Sequence, residues 1–259
     1  MTNRTKPVAL TIAGFDPGSG AGISADIKTF RRLGVYGTGI ISCITSQNHT
    51  SFHTVSEVEK NVFRDQLLSV SEGYRIKAVK TGLLTKETAE ITGDWKKRNS
   101  DIPMISDPVF TATSGKDFFN HKEAGFLKES LLKYADLITP NLKEAAILSG
   151  IKIDSIDGVI AAGRSLMNEL GIPVLVKGGH LVGDAIDVLF TNEGEFFFKE
   201  KRVEGINTHG SGCILSSAIT AFIAKGEDMK AAVSNGKDFI TRLIHDPVEL
   251  EGVGLLIEP

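Results

Sequence analysis

Apolar runs of strand length alternate along the chain with segments whose apolar positions recur at helical spacing. The strand-like runs are VALTIAG (8–14), GIISCITS (39–46), AVKTGLL (78–84), PMISDPVF (103–110), LIT (137–139) and PVLVKGG (173–179). Their nearly continuous hydrophobicity suits strands covered on both faces, as in a parallel sheet. Between them, Val58, Val62, Phe63, Leu67 and Val70 fall on one helical stripe, and Ala124, Leu127, Leu131 and Tyr134 on another. Residues 185–203 break the alternation and predict two strands turning at Asn192–Gly194, an antiparallel hairpin at one edge of the sheet. Two helices are expected after it, at roughly 210–225 and 228–244. The pattern predicts an α/β fold, a three-layer αβα sandwich around a mostly parallel sheet. There is no internal repeat and no linker-like stretch, so residues 1–259 read as one domain.

Composition narrows the class. The chain is 41% hydrophobic and 24% charged, with a formal net charge of −3. That excludes disorder, and it argues against nucleic acid or an acidic membrane surface as partner. Two cysteines far apart, Cys43 and Cys213, argue against a disulfide framework and make a reducing cytoplasm the default compartment. The apolar stretch Val8 to Phe15 is followed by Asp16 and reads as a strand, not a signal peptide.

Eight of the 27 glycines lie in three short clusters, GFDPGSGAG and KGGH after predicted strands and HGSGC before a predicted helix. Ligands bind at the ends of such strands, and glycine lets backbone N–H groups approach an anion. A Walker P-loop is absent, because Gly115-Lys116 and Gly236-Lys237 are each followed by Asp. A dinucleotide site also fails. Gly20, Gly22 and Ala25 meet its fingerprint only in degenerate form, and after Asp26 the next carboxylate is Glu57. The most informative stretch is Asn207-Thr208-His209-Gly210-Ser211-Gly212-Cys213, opening an apolar helix. Its N–H groups could form a nest for a transferred phosphoryl group. Cys213, in the first turn, is expected to have its thiol acidity increased by the helix dipole, and so to orient or deprotonate an attacking hydroxyl. A small buried cysteine beside packing glycines is the plainer alternative.

These motifs together resemble the ribokinase superfamily, and within it the hydroxymethylpyrimidine (HMP) and HMP-phosphate kinases of thiamine biosynthesis. The resemblance is carried by TIAGFDPGSGAGISADIKTF (11–30), YGTGIISCITSQN (36–48), VKTGLL (79–84), SDPVF (106–110), ITPNLKEA (138–145), VKGGH (176–180) and INTHGSGCILSSAI (206–219). It implies a ribokinase-like fold, ATP and Mg²⁺, a small aminopyrimidine substrate and a homodimer. Bacterial pyridoxal kinases share most of these motifs, and a non-catalytic sensor on the same fold is a further alternative.

Residue by residue, the resemblance implies that Cys213 replaces an aspartate base and that Gly210, Ser211 and Gly212 form the anion hole. It implies Gln47, Gly14, Asp26 and Val109 for the substrate. A carboxamide such as Gln47 pairs well with a ring nitrogen beside an amino group. For the nucleotide it implies Asn141, Glu144, Lys177, Thr208 and Lys237, with Asp107 and Glu144 toward the metal. Each has a plainer reading: a capping box for Asn141 and Glu144, a snorkelling strand-end lysine for Lys177, a solvated helix face for Lys237 and a first-turn carboxylate for Asp26. Two departures stand out: Thr113 where the family carries lysine, with Lys116 nearby, and a C-terminus, GLLIEP, lacking the usual histidine. His49 and His53 are spaced like a metal pair but lack a third ligand, and read as loop residues.

Overall fold

The computed structural model describes residues 5–48, 50–110, 123–179, 185–203 and 205–259. The chain runs through β1 (Val8–Phe15), α1 (Gly22–Arg32), β2 (Tyr36–Gln47), β3 (Phe52–Glu57), α2 (Lys60–Gly73), β4 (Ile76–Thr81) and α3 (Lys86–Arg98). It continues through β5 (Met104–Ser106), α4 (Ala124–Ser130), β6 (Leu137–Ile138), α5 (Leu142–Ser149), α6 (Ile156–Leu170) and β7 (Val174–Val176). Last come β8 (Ala185–Thr191), β9 (Gly194–Glu200), α7 (Ser211–Ala224), α8 (Met229–His245), β10 (Val248–Leu250) and β11 (Gly254–Leu256).

Nine strands form one sheet in the order β3-β2-β1-β4-β5-β6-β7-β8-β9. The pairs from β2 to β7 are parallel. The hairpin β8–β9 closes one edge antiparallel, as its sequence predicts. The other edge is closed by β3, antiparallel to β2, which polar residues of the segment FHTVSE conceal from a hydrophobic pattern. Several apolar runs overshoot their strands. The 103–110 run pairs only over Met104–Ser106 and the 173–179 run only over Val174–Val176, leaving the residues after each to line the site.

Alternation along the buried strands builds two cores. Leu10, Ile12, Val174, Val176, Val188 and Phe190 pack on one face under α2 to α6. Ile105, Leu137, Leu175 and Leu189 pack on the other face, under α7 and α8. The predicted α2 stripe needs one correction. Phe63 and Leu67 are buried, but Val62 is about half exposed, since the helix is rotated to put Phe63 into the core.

Three helices away from the site carry side-chain caps at their N-termini, Thr85 for α3, Ser155 for α6 and Asp228 for α8, whereas α2 and α4 start without one. Helices α1 and α7 start at Ala21 and Gly210 with no side-chain cap. Helix α3 meets α4 at Gly93, where a Cβ would overlap the Ser130 carbonyl oxygen. Gly93→Ala should therefore destabilise the protein by about 1–3 kcal/mol through overpacking and lower Tm by several degrees with kcat unchanged. An unaltered Tm would show that the α3–α4 contact yields freely.

Candidate active site

The parallel strands end on one side of the sheet, and a cavity of about 310 Å³ opens there. Its walls come from residues at or just beyond those ends: Gly14 after β1, Gln47 at the end of β2, Val109 after β5, Asn141 after β6 and Lys177 after β7, with the start of α7 opposite. A second cavity, of about 470 Å³, lies between α8 and the β9–α7 connection. Both cavities are lined by Lys177, Thr208, Ser211 and Gly212. They meet at the N-terminus of α7, where a group in one can reach a group in the other.

The meeting point is built from backbone. Gly210 has φ +80, a left-handed conformation, and a Cβ there would overlap the Gly20 carbonyl oxygen. Only glycine fits both demands. The Ser211 N–H donates to the Thr208 carbonyl at 3.0 Å. No side chain caps the helix, so the next N–H groups, of Gly212 and Cys213, lack that partner at the positive end of the helix dipole.

The opposing loop is tied down by Asp16, a residue that motif reading alone leaves without a role. Its carboxylate accepts the N–H groups of Gly18 at 2.8 Å and Ala21 at 2.9 Å. His209 Nε2 lies 3.5 Å from the same carboxylate, joining this loop to the α7 start. The Gln47 amide also donates to Asp16, which leaves its carbonyl oxygen as an acceptor for the cavity. Burial works against the Asp16 charge, yet these donors hold its carboxyl below the ordinary range.

Charged residues line the far side. Lys177 Nζ bonds Asp107 Oδ1 at 2.7 Å. Asp107 also accepts from Thr139 at 3.1 Å and Ser216 at 3.4 Å. Its oxygens are therefore engaged by protein donors, so Asp107 is placed to hold Lys177 over the α7 start more than to ligate a metal directly. Burial opposes the Asp107 charge, but Lys177 and Lys80 outweigh it and keep its carboxyl below the usual range.

Asn141 and Glu144 form the capping box of α5. The Asn141 N–H donates to Glu144 Oε2 at 2.7 Å, and the Glu144 N–H to Asn141 Oδ1 at 3.0 Å. Both also line the first cavity, so capping and site roles coexist. Burial pushes the Glu144 carboxyl up to about 7, with the Asp107 charge adding to the rise and Lys177 opposing it.

Three expectations change. Asp26 is fully buried and does not line the cavity, and it lies beyond the first turn of α1. It sits behind the wall, bonded to Lys80 Nζ at 2.8 and 2.9 Å, Thr11 Oγ1 at 2.5 Å and Ser217 Oγ at 2.6 Å. Lys237 is not on a solvated face; its Nζ bonds Asp187 Oδ2 at 2.8 Å in the wall of the second cavity. The Cys213 thiol moves opposite to the helix-dipole expectation: burial raises it, and Lys80 with the Gly22 N–H offsets only part of the rise. Cys213 is a neutral thiol at rest.

Thr113, Lys116, His49 and His180 lie outside the described residues. His53 is exposed on β3 beside Ser51, and no cluster of three or more metal-ligating side chains occurs among the described residues. Lys80, like Asp16 and His209, was not singled out by motif reading. Its signal was a lone lysine inside an apolar run, the mark of a charge with a buried partner.

The family model for phosphomethylpyrimidine kinase matches residues 16–256. The chain belongs to that family. A hydroxymethylpyrimidine/phosphomethylpyrimidine kinase of Aquifex aeolicus is 38% identical over 245 residues, covering 94% of this chain and 96% of the relative. The crystal structure of a phosphomethylpyrimidine kinase from Clostridium difficile 630 matches with TM-score 0.81 and 35% identity, over 92% of this chain and 100% of the other. A Bacillus subtilis pyridoxal kinase, solved as an ADP complex, matches with TM-score 0.89 and 33% identity, over 98% and 97%. Family membership makes this chain a kinase, and no helix among the described residues is long and apolar enough to cross a membrane.

Glu144 supplies a pH test. In the unfolded chain it titrates near 4.5, and in the fold near 7. Between those values the folded state holds more protons, so this group's contribution to stability falls as pH rises from about 4.5 to 7. Glu144→Gln keeps the capping geometry and removes that fall. Denaturation midpoints of the ligand-free proteins at pH 5 and 7.5 should show wild type losing stability relative to the variant, whereas parallel curves would contradict the assignment.

Proposed function

We propose that this protein transfers the γ-phosphoryl group of ATP to the hydroxymethyl group of 4-amino-5-hydroxymethyl-2-methylpyrimidine, and in a second round to the monophosphate so formed. The observation that carries the reading is the meeting of two cavities at the uncapped start of α7. The first has a size suited to a small heterocycle, and the second, larger and carrying Lys201 and Arg202 in its wall beside the Lys237–Asp187 pair, suits a nucleotide. The names of the relatives support the substrate, and the ADP complex of the Bacillus subtilis enzyme supports the nucleotide.

In this reading Gln47, oriented by Asp16, accepts the exocyclic amino group of the pyrimidine and donates to its neighbouring ring nitrogen. Gly14 and Val109 form apolar wall around the ring. The hydroxymethyl oxygen then faces Cys213. As its bond to the γ-phosphorus forms, the bond from phosphorus to the bridging oxygen breaks, releasing ADP. Negative charge on the transferring group is met by the N–H groups of Gly212 and Cys213 and by Lys177. In a loose transition state the hydroxyl proton leaves late and passes to an oxygen of the transferred phosphoryl group, so the thiol need only orient the hydroxyl.

The donor set fits Mg²⁺ in a limited way. Glu144 is a buried carboxylate in the cavity wall whose charge is disfavoured when alone, which a divalent cation would relieve. Glu144 would hold such a cation, which would supply neutralisation of phosphate charge during transfer. The proposal covers residues 1–259 as one kinase domain, homodimeric and cytoplasmic.

Pyridoxal phosphorylation is the second reading, favoured by the TM-score of 0.89 to a pyridoxal kinase. A competition assay with the two substrates separates them, and HMP-dependent ADP release should dominate. In Gln47→Leu, KM for the pyrimidine should rise at least tenfold with nucleotide affinity unchanged; an unchanged KM would remove Gln47 from recognition. In Cys213→Ala, kcat should fall about 10²-fold or more with nucleotide binding retained, and near-wild-type turnover would take the thiol out of the mechanism.

A further inference from the structure

Helices α1 and α7 begin side by side and match turn for turn. The Gly22 N–H at the start of α1 donates to the sulfur of Cys213 in the first turn of α7. Four residues further along each helix, Asp26 accepts from Ser217 at 2.6 Å. Positions four apart lie on one helical face, so the Asp26 carboxylate sits one turn behind the thiol. Beneath this paired contact Lys80 rises from β4, fully buried, with its ammonium group on both Asp26 oxygens. Lys80 also belongs to the wall of the cavity that Cys213 lines.

We infer that Lys80 is a positioning residue for Cys213, its fixed positive charge setting the acidity of the thiol at the transfer site while Asp26 holds it in place and opposes it. Three observations support this. Thr11, Ser217 and Lys80 saturate the Asp26 carboxylate, so the ammonium group has one defined location. Burial resists the charge on Lys80, but Asp26 and the other negative groups outweigh it and hold the lysine above its ordinary range, so it stays charged. Lys80 and Cys213 share one cavity wall while Asp26 lies behind it, and the lysine's charge favours the thiolate where Asp26 and Asp107 disfavour it. The remaining charge coupled to the thiol is Lys177, after β7.

The two members of the pair therefore act on Cys213 with opposite sign, which a merely structural role would not produce. The test is the pH dependence of Cys213 alkylation by iodoacetamide, followed on its own peptide by mass spectrometry. Lys80→Met should move the midpoint to higher pH and slow alkylation at pH 8 several-fold. Asp26→Asn should move it to lower pH and speed alkylation. Midpoints that shift in the same direction, or do not shift, would overturn the inference. If Lys80→Met does not fold, the charge-free double variant Lys80→Met/Asp26→Asn decides, since Lys80 and not Asp26 lines the cavity beside the thiol and the midpoint should still rise; a fall or an unchanged midpoint contradicts the account.

The inference rests on the reading of Cys213 as the group beside the attacking hydroxyl, but alkylation requires no turnover. Loss of HMP-dependent ADP release in the wild type would sink the functional reading and leave this readout intact. Parallel shifts would sink the role of Lys80 and leave the kinase standing.

Discussion

Between β4 and the paired starts of α1 and α7, Asp26 and Lys80 are removed from water together, each with no exposed surface. Desolvating two charges is expensive, and the pair is tolerable because the carboxylate also accepts two hydroxyl hydrogen bonds. Leaving either member alone would cost about 3–5 kcal/mol, so the partners from β1, β4, α1 and α7 must stay in register. That constraint places Gly22 against Cys213 and presents the α7 start to both cavities. The geometry of the transfer site thus depends on a buried ion pair of which only the Lys80 member reaches the cavity wall.

The same arrangement explains how a chain of net charge −3 can handle polyphosphate. Anion binding is concentrated in backbone N–H groups at an uncapped helix start and in Lys177, pinned by Asp107. A local field of that kind acts at short range and needs no basic surface. Glu144 completes the balance by adding a negative group that is comfortable as a carboxylate only when a cation is near.

The layered fold was readable because buried parallel strands are hydrophobic on both faces, and their runs alternate with helical stripes. Reading was poorest where pairing is satisfied by polar residues, as in β3, and where an apolar run outlasts its strand, as after Met104–Ser106. At the site, the helix start at Gly210–Cys213, which lines the cavity, is legible because glycine and a helix start carry a local signature. The buried pairings of Lys237 and Asp26 are not legible in the sequence because their partners, Asp187 and Lys80, lie 50 and 54 residues away. The shift of the Cys213 thiol was misjudged for a related reason. A helix dipole is visible in one segment, whereas burial is set by everything packed around it.

The account is tested most directly by a crystal structure of the ternary complex with a non-hydrolysable ATP analogue and the aminopyrimidine. It predicts the γ-phosphate over the N–H groups of Gly212 and Cys213, with the hydroxymethyl oxygen in line with the γ-phosphorus at about 3–3.5 Å and beside the Cys213 sulfur. A γ-phosphate seated away from the α7 start, or a pyrimidine whose hydroxymethyl group points away from it, would contradict the account.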